Sequence, residues 1–338
     1  MTSQARKRIR RSMAGAVMPK GFSNMETGGA FHWGRQGRIR RILRACMIGL
    51  CAGTAFGSGS AGIVFSVLED GRWVAYHQSG IGAVPERVSS RGGADQMAAR
   101  LSSDGAQIAF EAGAGEVQVY ARGPGAKEGW SWIRTLPGAV RPAWQPATKD
   151  WLSVRYAVSG AGEDSDIYCQ IPGRREPEIL VRHTGNQDYP AVSPDGTQVA
   201  YASGIVVGPR QGAVRVFQQL WILDLRSMQV RQVFLDHAEN IEPCWSPAGK
   251  ELAFASNRSG RFEIWVVQPG GEGLRKVTEG PGVKSWPAWS PDGQRILLTV
   301  FDQNRYGLAL VNAEGGEAQP YHPFGAGSKL EVRDADWK

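Results

Sequence analysis

The sequence predicts an all-β fold, a six-bladed β-propeller closed by pairing of its N- and C-terminal strands in one blade. Three observations carry that expectation. A hairpin-forming segment recurs along the chain, as in "YPAVSPDGTQVAYAS" from Tyr189, "EPCWSPAGKELAFAS" from Glu242 and "WPAWSPDGQRILLTV" from Trp286. Each interval between copies holds four β-type runs, and the chain's last residues, "RDADWK", spell the opening of a repeat that continues near Ile63.

Aligned on the residue after the tryptophan position, the copies fall at Ser102, Gln145, Ser193, Ser246, Ser290 and Lys338, with spacings of 43, 48, 53, 44 and 48. Within a copy, an apolar pair ending in Leu101, Trp144, Val192, Trp245, Trp289 or Trp337 closes the first strand. A four-residue turn follows. In Ser193-Pro194-Asp195-Gly196, proline presets φ at the second position, aspartate suits the third, and glycine accepts the positive φ that a type I turn with a following bulge requires. Pro291-Asp292-Gly293 repeats this fully. Pro247-Ala248-Gly249 loses the aspartate, and Ser103-Asp104-Gly105 loses the proline but keeps the glycine. The copy at Pro146 has no glycine in register, so a longer turn is expected there.

Second strands such as "QVAYAS" and third strands such as "EVQVYA", "LWILDL" and "EIWVVQ" then precede a more polar fourth, as in "LRKVTEG" (Leu274 to Gly280). Four antiparallel strands in about 45 residues cannot bury both faces alone, and packing copies in a ring buries them. The insertion "GIVVGPRQGAVRVFQQ" is expected to lengthen the hairpin between the second and third strands of its repeat. At the start, Ile63 to Ser66 and Trp73 to Tyr76 read as second and third strands without a first, and "RDADWK" supplies the missing one. That pairing removes the open edges of an unclosed array.

The chain has 338 residues, 44 glycines, 19 prolines and 12 tryptophans, with a formal charge of +7. The charge is uneven: residues 1–60 carry +10 and the remainder −3. A mildly acidic body argues against a nucleic-acid partner. Residues 1–61 read as a basic leader with an export signal. Five arginines from Arg35 to Arg44 run into the apolar stretch Ala45 to Phe56 and then into small residues. About twelve apolar residues are too few to span a bilayer, so the exported chain is not expected to be membrane-spanning. Cys51 sits in a lipoprotein-like context, but the bulky Leu50 disfavours a lipid anchor. The domain expected after cleavage is 62–338, periplasmic and monomeric, with Cys169 and Cys244 as separate buried thiols on different repeats.

The copies of the P-x-W-S-P-D-G-x-x-[IL]-A-[FY]-x-S pattern resemble the repeats of the TolB-like six-bladed propellers, over residues 63–338. The resemblance implies a cell-envelope role of the Tol–Pal type and a propeller mouth that binds the peptidoglycan-associated lipoprotein. The separate α/β domain that precedes the propeller in that family has no counterpart expected here. Similar blades occur in peptidase gating domains and in oligogalacturonate lyases, so the repeat alone does not fix function.

No catalytic residue, metal ligand or cofactor is expected. The sequence has no G-x-S-x-G, P-loop, H-E-x-x-H or paired C-x-x-C motif. His77, His183, His237 and His322 read as scattered loop or surface residues, although the resembling lyases gather histidines around a metal. Asp104, Asp195 and Asp292 lie on equivalent turns of separate repeats and read as turn-stabilising, and the tryptophans read as inter-blade core rather than a carbohydrate platform. The informative positions stand just before each P-x-W: Ala98, Arg141, Tyr189, Glu242, Trp286 and Asp334. Their chemistry differs from repeat to repeat, as a recognition surface requires. The expected function is therefore a non-enzymatic propeller that binds a protein or peptide partner at the channel mouth through Arg141, Tyr189, Glu242, Trp286 and Asp334. A polysaccharide lyase or hydrolase with its site in the central funnel is the alternative.

Overall fold

The computed structural model describes residues 62–338, apart from 90–93, 114, 123–128, 147–149, 160–161, 171–175, 184 and 208–214. The expected leader, its Cys51 and the turn after Pro146 lie outside the described residues. Every regular element among the described residues is a strand, and the fold is an all-β propeller. No helix there is long and apolar enough to cross a membrane.

The strands group into four-stranded sheets, six among the described residues, each with its innermost strand on the axis. The first sheet joins the two ends of the described chain. Val332–Trp337 is its innermost strand, followed by Ile63–Glu69, Arg72–Gln78 and Glu86–Arg87. Ile63 pairs with Trp337 and Val64 with Asp336, and Gly62 and Lys338 exchange backbone hydrogen bonds of 2.5 and 2.9 Å. The other innermost strands are Gln96–Leu101, Val140–Gln145, Gln187–Val192, Asn240–Trp245 and Val283–Trp289.

The apolar alternation of these strands builds seams between sheets rather than one central core. Phe254, Trp245 and Leu252 of the fifth sheet pack on Leu220, Ile222 and Val233 of the fourth. Trp289 and Ile296 of the sixth pack on Ala253, Ile264 and Val266 of the fifth. The circuit closes where Leu297 and Leu308 meet Phe65 and Trp337, and where Val64 and Val88 meet Leu101 and Phe110. Tryptophan also bridges seams through its indole N–H. Trp144 donates to the Ser103 hydroxyl at 3.1 Å, Trp245 to the Ala191 carbonyl at 3.0 Å and Trp289 to the Cys244 carbonyl at 3.2 Å.

The turns form as their chemistry dictates. In the copies at Ser102, Ser193 and Ser290, the serine hydroxyl donates to the aspartate two residues on, at 2.5 to 2.6 Å. That aspartate accepts the backbone N–H of Ala106, Thr197 or Gln294, and Gly105, Gly196 and Gly293 adopt φ near 70°. At Pro247, the turn without aspartate keeps Gly249 at φ 68° and the N–H of Glu251 on the Ser246 hydroxyl. Gln198–Val207 and Arg215–Asp224, ten residues each, form the lengthened hairpin.

One pairing departs from the expected repeat. The run read as a single fourth strand from Leu274 divides: Arg275–Lys276 completes the fifth sheet, whereas Thr278–Glu279 pairs in parallel with Gly316–Glu317. Gly316, at φ 134°, reaches a conformation closed to other residues there, which brings the outer edge of the sixth sheet onto the fifth.

Candidate functional site

Each innermost strand carries a β-bulge, where its register with the next strand slips, for example between Met97 and Arg100 or between Ser285 and Ala288. The left-handed residue in each bulge is not glycine. It is Ala98, Arg141, Tyr189, Glu242, Trp286 or Asp334, with φ of 50°, 48°, 53°, 58°, 51° and 57°. A left-handed conformation costs a substituted residue about 1–2 kcal/mol, so six recurrences require anchoring from their surroundings. The anchors are hydrogen bonds to the freed backbone N–H. Glu111 accepts that of Arg141 at 2.8 Å, Asp188 that of Tyr189 at 2.8 Å, Glu242 that of Trp286 at 2.6 Å and the Thr299 hydroxyl that of Asp334 at 2.9 Å.

The bulge turns these side chains toward the axis, where they meet across non-adjacent sheets. The Trp286 and Tyr189 rings pack edge to face with centroids 5.8 Å apart. The Arg141 guanidinium lies 4.1 Å above Tyr189 and forms an ion pair of 2.5 Å with Asp188. From another sheet, Arg100 lies 4.9 Å from the Trp286 ring. The axis is therefore blocked at this level.

Four of the five expected residues, Arg141, Tyr189, Glu242 and Trp286, line the cavity, and Asp334 does not. Glu242, Trp286 and Asp334 are buried rather than presented at an open mouth, and Ala98 is buried outside the cavity lining. Asp334 pairs with Arg333 at 2.7 Å beside the floor. The cavity, about 490 Å³, opens on the opposite side, toward the serine-proline turns. Its rim is formed by Pro146, Pro194, Pro247 and Pro291, its wall by Trp144, Trp245, Trp289 and Trp337, and its floor by Arg141, Tyr189, Glu242 and Trp286. The tryptophans thus serve both the inter-sheet seams and the funnel wall. Residues whose recurrence reads as purely structural line the cavity because the repeat places one copy of each around the axis.

Glu111, Asp188, Glu242 and Asp334 surround the floor with the half-buried guanidiniums of Arg141 and Arg333. Burial pushes Glu242 up to about 7, opposed by the Trp286 N–H and reinforced by Asp334. It also raises Glu111 and Asp188 against the pull of Arg141. Cys244, half-buried in the wall, has its thiol pushed up by burial, and it and Cys169 are free thiols. No group of three or more His, Cys, Asp or Glu capable of holding a metal occurs among the described residues.

The histidines divide differently from the expectation of scattered surface residues. His77 is buried, bonded to Glu86 at 2.9 Å and packed on Trp130. His183 bonds the Tyr201 hydroxyl at 3.1 Å, whereas His237 and His322 are exposed.

Residues 215–322 match the TolB beta propeller domain family. The chain is 34% identical over 152 residues to an uncharacterized peptidase, YuxL, of Bacillus subtilis, covering 44% of this chain and 21% of that protein. It is 32% identical over 158 residues to a TolB homolog of Chlorobium luteolum, covering 46% of this chain and 32% of the relative. The chain thus spans about a third or less of the length of these relatives. The crystal structure of TolB from Acinetobacter baumannii superposes with a TM-score of 0.64 at 18% identity, over 83% of this chain and 67% of that one, a likeness of fold.

Proposed function

We propose that this chain, similar to TolB propellers in its repeats and fold, is an exported, six-bladed, non-enzymatic ring in the cell envelope that binds a protein or peptide partner in its central funnel. The observation that carries this reading is the funnel itself: a cavity of about 490 Å³, walled by proline and tryptophan and floored by charged side chains. That combination of rigid apolar wall and a few placed polar groups suits recognition. The floor's carboxylates support binding over catalysis. Glu242 is committed to the Trp286 N–H, and Asp188 to Arg141 and to the Tyr189 N–H. The relatives named Tol-Pal system protein TolB support a Tol–Pal type assembly, and the repeat resemblance extends the proposal to a periplasmic location and the peptidoglycan-associated lipoprotein as partner.

The test is capture from envelope extract by the whole chain and by a rim variant, Pro247→Glu with Pro291→Glu. Both prolines are exposed, so the variant is expected to unfold at the same urea concentration as the parent and to lose the partner. Equal capture by both proteins would remove the funnel as the binding site.

A further inference from the structure

Three cations line the funnel, and two are already occupied. Arg141 is paired with Asp188 at 2.5 Å and Lys338 with Asp336 at 3.5 Å, while Asp336 also accepts the backbone N–H of Leu101 at 2.9 Å. Arg100 differs. Its guanidinium gives one hydrogen bond, to the Ala99 carbonyl at 2.8 Å, and lies 4.9 Å from the Trp286 ring. It has no carboxylate partner among the described residues, and it is half-buried at the foot of the cavity. An arginine keeps five donors in a fixed fork, so most of them remain to face an anion, and a carboxylate is the group that fork fits best.

The shape of the cavity narrows the ligand further. Trp286, Tyr189 and Arg141 touch across the axis, so the funnel has a floor and a chain entering from the turn side meets a dead end. An internal loop would have to enter and return through one passage lined by rigid proline and indole. A chain end enters with a single strand. Of the two ends, an ammonium beside Arg100 would be repelled, whereas a carboxylate is attracted.

We infer that the funnel captures the C-terminal end of a peptide chain, with its carboxylate on Arg100 and the apolar or prolyl residues before it lying against the proline–tryptophan wall. This inference rests on the funnel being the partner site. The wall suits such residues because extended, proline-rich segments dock on aromatic surfaces with little loss of conformational freedom. Glu242, at the same floor, accepts the Trp286 N–H at 2.6 Å.

The experiment uses the whole chain and a library of N-acetylated tetrapeptides ending in proline, phenylalanine or leucine, each prepared as the free acid and as the C-terminal amide. Binding is read from tryptophan fluorescence. Free acids are expected to bind roughly tenfold or more tightly than their amides, the difference a charge-assisted hydrogen bond supplies. Arg100→Gln is expected to erase the preference for acid over amide, and Arg100→Lys to retain part of it, both with unfolding midpoints near the parent's. Equal binding of acids and amides, no binding of any free acid, or a preference that survives Arg100→Gln would each overturn the inference. If envelope capture still depends on Pro247 and Pro291 in those cases, the partner reading stands and only the chain-end inference falls. If capture is independent of the rim as well, both fall.

Discussion

Glu242 accepts the backbone N–H of Trp286 at 2.6 Å, so the strained residue of one innermost strand is held by the side chain of the equivalent residue in the strand before it. Floor geometry and protonation are therefore linked at a single carboxylate.

Glu242 is expected to make stability fall as pH rises. Its folded value, about 7, lies above the ordinary 4.5, so between these limits the folded protein holds a proton that the unfolded chain has released. The contribution is fully present below about 4.5 and is lost as pH rises through about 7, a loss on the order of 3 kcal/mol. Glu111 and Asp188 act in the same direction. Urea unfolding from pH 5 to 8 should show the decline, and Glu242→Gln, which keeps an acceptor for Trp286, should flatten it. A variant as pH-sensitive as the parent would contradict the assignment.

Closure of the ring predicts that Trp337→Ala destabilises strongly. Trp337 is 7% exposed, packs among Phe65, Leu297 and Leu308, and belongs to the strand that joins the two ends. A loss of about 3–5 kcal/mol in urea unfolding is expected. Trp132→Ala, at a 43% exposed position on an outermost strand, should cost about 1 kcal/mol or less.

The left-handed bulges predict an unusual glycine effect. Ala98→Gly relieves a φ of 50° and should leave stability equal or raise it by up to about 1 kcal/mol, the relief outweighing the freer unfolded chain. Ala98→Val should cost at least about 1–2 kcal/mol, because a β-branched residue resists this conformation. Equal unfolding midpoints for the glycine and valine variants would show that the bulge is not strained.

A buried ion pair crosses one seam. Lys284 lies 3.3 Å from Glu263 and donates to the Gly282 carbonyl at 3.1 Å, and Glu263 also receives Arg261 and the Thr278 hydroxyl at 2.6 Å each. Both side chains are nearly inaccessible, and burial holds Lys284 below its ordinary range against the pull of Glu263. Lys284→Met should cost about 3–5 kcal/mol, and adding Glu263→Gln should recover part of that loss. Additive costs across the double-mutant cycle would show that the pair is uncoupled.

Much of the architecture was legible in the sequence because the repeat writes its own turn chemistry. Pro194, Asp195 and Gly196 announce a hairpin, and the incomplete copy at "RDADWK" announces the pairing of Trp337 with Ile63. The six positions before P-x-W were likewise found from register alone, and they do converge on the axis. Their left-handed conformation was not legible, since none is glycine and the bulge follows from strand geometry around a ring. Nor was the side on which the cavity opens, which depends on how far Trp286 and Tyr189 reach across the axis. Arg100 is inconspicuous in the sequence for a related reason. It stands two residues beyond the bulge, at a position filled by Ala143, Ala191, Cys244, Ala288 and Asp336 in the other copies, so its chemistry stands out only when the copies are superposed in space. The parallel contact of Thr278–Glu279 with Gly316–Glu317 joins segments that show no mutual pattern in sequence.

The Ile63–Trp337 pairing joins positions 274 residues apart, at the joint where the two ends of the described chain meet. Sheets built from neighbouring hairpins can form while that joint is still open, leaving an arc with two unpaired borders. Sealing the arc is then expected to be the slow, late event in folding, and the interval before it is when the molecule is most exposed to pairing with another copy of itself.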